Sequence, residues 1–261
     1  MLQSSSYVAV DTYRAKAAET GEAAWNYKGL EIIALPKIHE FVANLVGRYV
    51  PKGAAVLDLG AGSGAMCLRL QDLGFKAAGG DIVSENFRLH GKADFHLVNI
   101  NEPLTCELES RFDCVLAMEL IEHLENPRHL IRECFKALKP GGLFVVTTPN
   151  IGSSISIAQY IRTGEFRWFA HENYKRDGHI SPIPISTLRL AFHEAGFEKT
   201  IVQSISPLSF PGLSWWKMRA LAALIRAIPG HSKEQGDILV AWGRKPTASM
   251  GGEPDDIAAA R

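Results

Sequence analysis

The sequence predicts an α/β fold built on a doubly wound, mostly parallel sheet of seven strands with helices on both faces. Short apolar runs alternate with segments of helical periodicity from residue 55 onward, the pattern of right-handed β–α–β crossovers. The first run closes in a glycine-rich turn, VLDLGAGSG, that opens a helical segment. The second closes in an acid, Asp81, about 20 residues after that turn.

Each element follows from its own pattern. Ile38, Phe41, Val42, Leu45 and Val46 recur at helical spacing, so residues 36–49 read as an amphipathic helix. Strands are expected at 55–60, 76–81, 95–100, 112–118 and 143–149, and helices at 63–73, 85–91, 127–138 and 186–195. Two further strands, FEKTIVQSIS (197–206) and GDILVAWGRK (236–245), complete the seven. Residues 1–35 read as an N-terminal extension and 36–245 as the domain, with inserts at 150–185 and 207–235. The small, polar end 246–261 reads as disordered.

Composition narrows the class. The 261 residues suffice for one domain with inserts. Lys plus Arg and Asp plus Glu both number 28, so no global field draws in nucleic acid. Cys67, Cys106, Cys114 and Cys134 form no C-x-x-C pair and read as reduced packing residues. No basic-then-apolar leader opens the sequence, and no run of about 18 apolar residues occurs. The expectation is a cytoplasmic protein.

Glycine in a turn costs conformational entropy, so Gly60, Gly62 and Gly64 mark a place that needs a bare backbone. In a doubly wound sheet that place is the ligand crevice, where a helix N-terminus adds partial positive charge. Asp81, with its neighbour Ile82, sits where an acid accepts hydrogen bonds from ribose hydroxyls. The run from Gly60 to Ala65 also fits G-x-G-x-x-A, so the glycines alone do not exclude a dinucleotide. Asp58 tilts the choice: a carboxylate there repels a pyrophosphate but suits a cationic amino-acid moiety or the loop amides. S-adenosylmethionine, with an adenosine, an ammonium and a sulfonium, is the expected cofactor.

Four stretches in order, VLDLGAGSG, GGD, FDCVLAMELIEHLENP and LKPGGLFVVTTPN, resemble the motifs of class I S-adenosylmethionine-dependent methyltransferases over about residues 36–200. AMELIEHLENP, TPN and DGHISPIPISTLRLAFHEAGF look most like the branch containing the ubiquinone-biosynthesis O-methyltransferases. The resemblance implies a Rossmann-like fold with an antiparallel last strand. It implies an amino-acid-end loop at Gly60, Ala61, Gly62 and Gly64 and a ribose acid at Asp81. It also implies that Asn99 and Ile100 lie near the adenine and that Met118 packs on the cofactor. Many relatives carry Asp where this sequence has Asn99.

Methyl transfer is an in-line displacement at a sulfonium carbon; the cofactor brings the activation and the protein brings orientation and electrostatics. Glu119, Glu122 and His123 form E-x-x-E-H after the fourth strand. Those three residues could hold a divalent metal that lowers the pKa of an acceptor hydroxyl. Without metal, His123 with Glu122 could act directly as a base. The run could instead cap and orient the loop. His179 is a further candidate ligand or base, or a packing residue.

The inserts are expected to build the acceptor pocket. Phe166, Trp168, Phe169 and Tyr174 alternate with Arg167, Lys175 and Arg176, which suits an apolar or carbohydrate acceptor bearing a negative group, or a packed lid. Leu213, Met218, Leu221, Leu224, Ile225 and Ile228 share a helical stripe, with Trp215, Arg219 and Arg226 opposite. Helix 213–228 is a packing, lid or dimer helix, or a peripheral membrane contact reaching a lipid-linked acceptor. Three functions follow: an O-methyltransferase for a small-molecule, glycan or lipid-linked hydroxyl, an RNA 2′-O-methyltransferase, or a non-catalytic cofactor-binding regulator.

Overall fold

The computed structural model describes residues 25–205, 216–230 and 232–247. A short hairpin, β1 (Asn26–Tyr27) and β2 (Leu30–Glu31), leads into α1 (Ile38–Tyr49). The sheet strands are β3 (Ala55–Leu59), β4 (Lys76–Asp81), β5 (Phe95–Leu97), β6 (Phe112–Met118), β7 (Leu138–Pro149), β8 (Glu198–Ile205) and β9 (Ile238–Arg244). Their order across the sheet is β5-β4-β3-β6-β7-β9-β8. β3 to β7 run parallel, and β9 inserts antiparallel between β7 and β8. The antiparallel last strand is therefore present.

Strand alternation divides the apolar residues between two cores. Val56, Cys114, Leu116, Val145 and Val240 face one side, beneath α1 and α2 (Ala65–Asp72). Leu57, Leu59, Val115, Phe144, Val146 and Leu239 face the other, beneath α3 (Pro127–Ala137) and α6 (Ile185–Glu194). Each fully buried Val, Leu or Phe contributes about 1.5–3 kcal/mol. The chain leaves β3 toward β4 and β5, then returns to β6 on β3's other side. That reversal opens a crevice at the carboxyl ends of β3 and β6.

The structure departs from the expected elements in particular places. The helix expected at 85–91 does not form. A 3-10 turn at Ser84–Asn86 gives way to extended backbone at Phe87. Phe87 and Leu89 are buried and Arg88 is exposed, so period-two burial wins over the helical period. β5 stops at Leu97 because Asn99 Oδ1 accepts the Asn101 N–H at 3.2 Å, a local turn. Trp25, Ile32 and Leu35 are buried in the core that α1 joins, so the described part of the expected extension belongs to the domain.

The first insert folds as α4 (Ser154–Thr163) and α5 (His171–Asp177). The second supplies α7 (Trp216–Arg226), which packs on α4 through Met218, Ala222, Ile225 and Ala158. The expected single stripe splits: Leu224 and Ile228 are 70% and 58% exposed. Leu213 and Trp215 lie outside the described residues, as do residues 1–24 of the expected extension and 248–261 of the expected disordered end. Cys67, Cys114 and Cys134 are buried and Cys106 is exposed, all as free thiols. Among the described residues no helix is long and apolar enough to cross a membrane.

Candidate active site

The glycine turn is built by β3 and held by β4. Gly60 N–H and Ala61 N–H both donate to the Gly80 carbonyl, at 2.8 and 3.3 Å. Gly62 N–H donates to Asp81 Oδ2 at 2.9 Å, and Val83 N–H to Asp81 Oδ1 at 3.1 Å. Each Asp81 oxygen thus has one N–H partner and a lone pair to spare. Gly64 has φ +87°, and a Cβ there would lie 2.9 Å from Phe87 Cε2. Its bareness therefore serves the packing of Phe87 under the turn. Gly62 has φ +50°, and a Cβ would lie 3.3 Å from Ile33 Cδ1, so the N-terminal segment covers the turn. Ser63 Oγ fastens that segment by donating to the Glu31 carbonyl at 2.6 Å. α2 begins at Gly64 with no side-chain cap, leaving its first N–H groups for a ligand.

Asp58 lies beneath the turn and is 2% exposed. Cys67 Sγ donates to its Oδ2 at 3.8 Å, and its Oδ1 has no hydrogen-bond partner among the described residues. Burial, and then the negative Asp81, push its carboxyl up to about 7. An orphaned buried carboxylate oxygen is costly, and a cation nearby would satisfy it. Val98 N–H donates to the Asp81 carbonyl at 2.9 Å, which sets Asn99 and Ile100 at the same sheet edge. Asn99 Nδ2 donates to Glu102 at 3.2 Å, so its amide is engaged in its own turn. Ile82 is exposed, Ile100 buried and Met118 half-buried. These residues fit a cofactor with an ammonium, a ribose and a flat base.

Across the crevice, β6 ends at Met118 and the backbone turns sharply at Glu119, with φ +47°. The Thr147 hydroxyl locks that turn: it accepts the Glu119 N–H at 2.9 Å and donates to Glu119 Oε1 at 2.8 Å. Burial raises the Glu119 carboxyl to about 7. A 3-10 turn, Ile121–His123, then points Glu122 inward. Glu122 is fully buried, and among the described residues neither carboxylate oxygen has a hydrogen-bond partner of normal geometry. Burial and the Glu119 charge push it well above the usual carboxylate range.

His179 completes the group. Ile180 N–H and Ser181 N–H both donate to the Glu122 carbonyl, at 3.0 and 2.9 Å, and so fix the backbone beside His179. The His123 and His179 rings meet edge to face, 4.9 Å between centroids. His179 Nδ1 lies 2.7 Å from the Trp168 carbonyl, which can only accept, so Nδ1 carries the proton. His179 Nε2 is then left with a lone pair. Burial holds both rings neutral and lowers His123 to about 4. One ligating atom each from Glu122, His123 and His179 lie within 4.8 Å of one another. Glu119, expected in a metal set with Glu122 and His123, stands outside this group because its carboxylate is turned to Thr147.

An apolar cleft of about 430 Å³ lies between α3 and α6, lined by Ile121, Asn126, Ile131, Ile180, Pro182 and Leu188, and none of Glu122, His123 and His179 lines it. Thr147 and Ile33 are contributors the sequence did not reveal, and Trp168, expected among the pocket aromatics, acts on His179 through its backbone carbonyl. Their roles come from a carbonyl, a hydroxyl and a packing contact, none of which has a motif.

The family described as a methyltransferase domain matches residues 34–202. The chain belongs to the S-adenosylmethionine-dependent methyltransferases. Within this family the chain is similar to a ubiquinone biosynthesis O-methyltransferase of Bradyrhizobium sp. (strain ORS 278), 28% identical over 194 residues. That match covers 64% of this chain and 74% of the relative. The Bordetella pertussis protein of the same name is 28% identical, over 73% of this chain and 80% of its own. A shorter match, 36% identical, spans 38% of this chain and 44% of the Xanthomonas oryzae (strain PXO99A) protein. An Archaeoglobus fulgidus methyltransferase structure aligns with TM-score 0.54 at 19% identity, over 79% of this chain and 94% of that one. A Haemonchus contortus phosphoethanolamine N-methyltransferase aligns with TM-score 0.55 at 16% identity, over 92% of this chain and 60% of that one. Both show the shared fold.

Proposed function

We propose that this methyltransferase moves the methyl group of S-adenosylmethionine to a hydroxyl oxygen of a small-molecule, glycan or lipid-linked acceptor. The observation that carries this reading is Glu122, fully buried beside two neutral imidazoles with, among the described residues, no hydrogen bond of normal geometry to either carboxylate oxygen. Such a group is arranged for a proton and an oxygen that arrive with the substrate. The cofactor, when bound, supplies the activated sulfonium methyl. Asp81 offers its remaining lone pairs to the ribose hydroxyls, and the orphaned Asp58 Oδ1 balances the ammonium. The Gly60–Gly64 turn and Met118 hold the amino-acid end, and Asn99, Ile100 and Ile82 border the base.

The acceptor hydroxyl arrives beside the paired histidines. His179 Nε2 or His123 takes its proton, and the oxygen displaces the sulfur from the methyl carbon. The electron pair of the broken bond stays on sulfur. The outward face of α7, with Trp216 and Leu224 exposed beside Lys217, Arg219 and Arg226, and Ile228 exposed just past its end, favours a lipid-linked acceptor met through a peripheral membrane contact.

The 4.8 Å grouping of one carboxylate and two imidazoles favours a second reading, in which Glu122, His123 and His179 hold a divalent ion. Such an ion would lower the pKa of an oxygen bound to it. A chelator separates the two. Loss of turnover restored by Mn²⁺, Zn²⁺ or Mg²⁺ supports the ion. Indifference to chelation, with a pH–rate limb set by a histidine, supports the direct base. Full turnover in both Glu122→Gln and His123→Ala would overturn the role of the group in either form.

A further inference from the structure

We infer that the buried Arg167–Asp237 ion pair is a positioning device that aims the Trp168 carbonyl at His179 and thereby fixes which ring nitrogen of His179 faces Glu122 and His123. The role given to the His179 lone pair rests on the proposed function, but the geometry of the relay does not.

Three observations converge on Trp168. Its φ is +70°, a left-handed conformation that a bulky side chain adopts only when its surroundings force it. On its N-terminal side, Arg167 Nη1 meets Asp237 Oδ1 at 3.0 Å, with both side chains nearly buried, 12% and 9% exposed. Arg167 N–H also donates to Ser156 Oγ on α4 at 3.2 Å. On its C-terminal side, the Phe169 N–H donates to the Phe166 carbonyl at 3.0 Å and closes the turn. The strained peptide is thus gripped from both ends, and the carbonyl it presents accepts the His179 Nδ1–H at 2.7 Å.

Asp237 is itself anchored. It directly precedes β9, and its carbonyl accepts the Asn150 N–H at 2.8 Å at the end of β7. The ion pair therefore ties the insert's backbone to the sheet at the sheet's carboxyl edge. Burying two charges is costly, and a fold that needed only packing would be served by an apolar pair. A geometric task accounts for keeping the charges. The hydrogen bond that one ring nitrogen makes decides what the other offers. Without the Trp168 carbonyl, a neutral imidazole favours the opposite tautomer, with the proton on Nε2 and no lone pair toward the site.

Tautomers are read directly from the long-range ¹⁵N–¹H correlation pattern of the histidine rings in cofactor-free protein, so neither turnover nor acceptor is needed. At about pH 7.5, where His179 is neutral, wild type should show His179 as the Nδ1–H form. Arg167→Lys retains the charge pair and should keep that form. Asp237→Asn strands a buried guanidinium and can unfold the protein. The volume-matched double variant Arg167→Met with Asp237→Leu avoids this by removing both charges. It should fold, bind S-adenosylhomocysteine as wild type does, and give a mixed or Nε2–H pattern. With an acceptor in hand, its kcat should fall about 10–100-fold while the KM for cofactor stays unchanged. A wild-type Nε2–H pattern, or an unshifted Nδ1–H pattern in the double variant, would overturn the relay. A shifted tautomer in a protein that methylates no hydroxyl would leave the relay standing and reject the proposed function.

Discussion

Replacing Asp58 by asparagine should make the cofactor-free protein more stable than wild type at neutral pH and worse at holding its cofactor. Asp58 is 2% exposed, and its Oδ1 has no hydrogen-bond partner among the described residues. Burial first, and then the Asp81 charge, raise its carboxyl from 3.8 to about 7, while the Cys67 thiol works the other way. A raised folded pKa means that the folded state keeps a proton the unfolded chain has already released. The stability from that proton is fully present below 3.8 and is lost as pH rises toward 7. Over that interval the loss amounts to about 4 kcal/mol. The side-chain amide of the Asp58→Asn variant never ionises. The stability difference between variant and wild type should therefore grow in the variant's favour by about 4 kcal/mol from about pH 4 to about pH 8. Urea titrations across that range measure it. Glu119, also raised to about 7, is present in both proteins and largely cancels. Parallel stability curves, with a difference independent of pH, would show that Asp58 does not hold this proton in the folded state. The same variant should bind S-adenosylmethionine more weakly, because the ammonium loses its counter-charge.

Asp81→Ala removes an acceptor that also fastens Gly62, so S-adenosylhomocysteine should bind about 1–3 kcal/mol more weakly by calorimetry. Unchanged affinity would take Asp81 out of the site. Gly64→Ala puts a methyl group 2.9 Å from Phe87 at φ +87° and should cost about 1–3 kcal/mol of stability by denaturant titration. No loss would mean that Phe87 does not pack there. Glu122→Gln and His179→Ala should lower turnover about 10²–10⁴-fold while cofactor affinity holds, as expected of groups that act on the acceptor. A matching fall in cofactor affinity would place them on the wrong ligand.

The sheet was legible because each strand carries its own burial pattern. Lys76–Asp81 and Phe112–Met118 fall where the sequence put them, because a short run buried on both faces of a parallel sheet is read from its own residues. The segment after Asp81 was not legible as a helix or strand from eight residues alone. Phe87 and Leu89 are spaced for a strand, and only the hole left by Gly64 and Gly79 decides that they fill it. Gly62 and Asp81 were both marked by sequence, but their direct hydrogen bond is a product of the β3–β4 register. In E-x-x-E-H, the positions of the carboxylates along the chain were plain and their directions were not. A left-handed Glu119 turns to Thr147, and its neighbour Glu122 goes inward to meet a histidine 57 residues away. The inserts were hardest, since among the described residues α4 and α7 form their shared core with each other.

Transfer of a methyl group to a hydroxyl by way of Glu122, His123 and His179 is tested most directly by incubating the protein with methyl-labelled S-adenosylmethionine and a cell extract separated into small-molecule, lipid, glycan and RNA fractions. Label should appear in a non-RNA fraction, held as a methyl ether that survives mild alkali, and should be lost with His179→Ala. Label confined to RNA, or no transfer to any fraction by a protein that binds the cofactor normally, would disprove it.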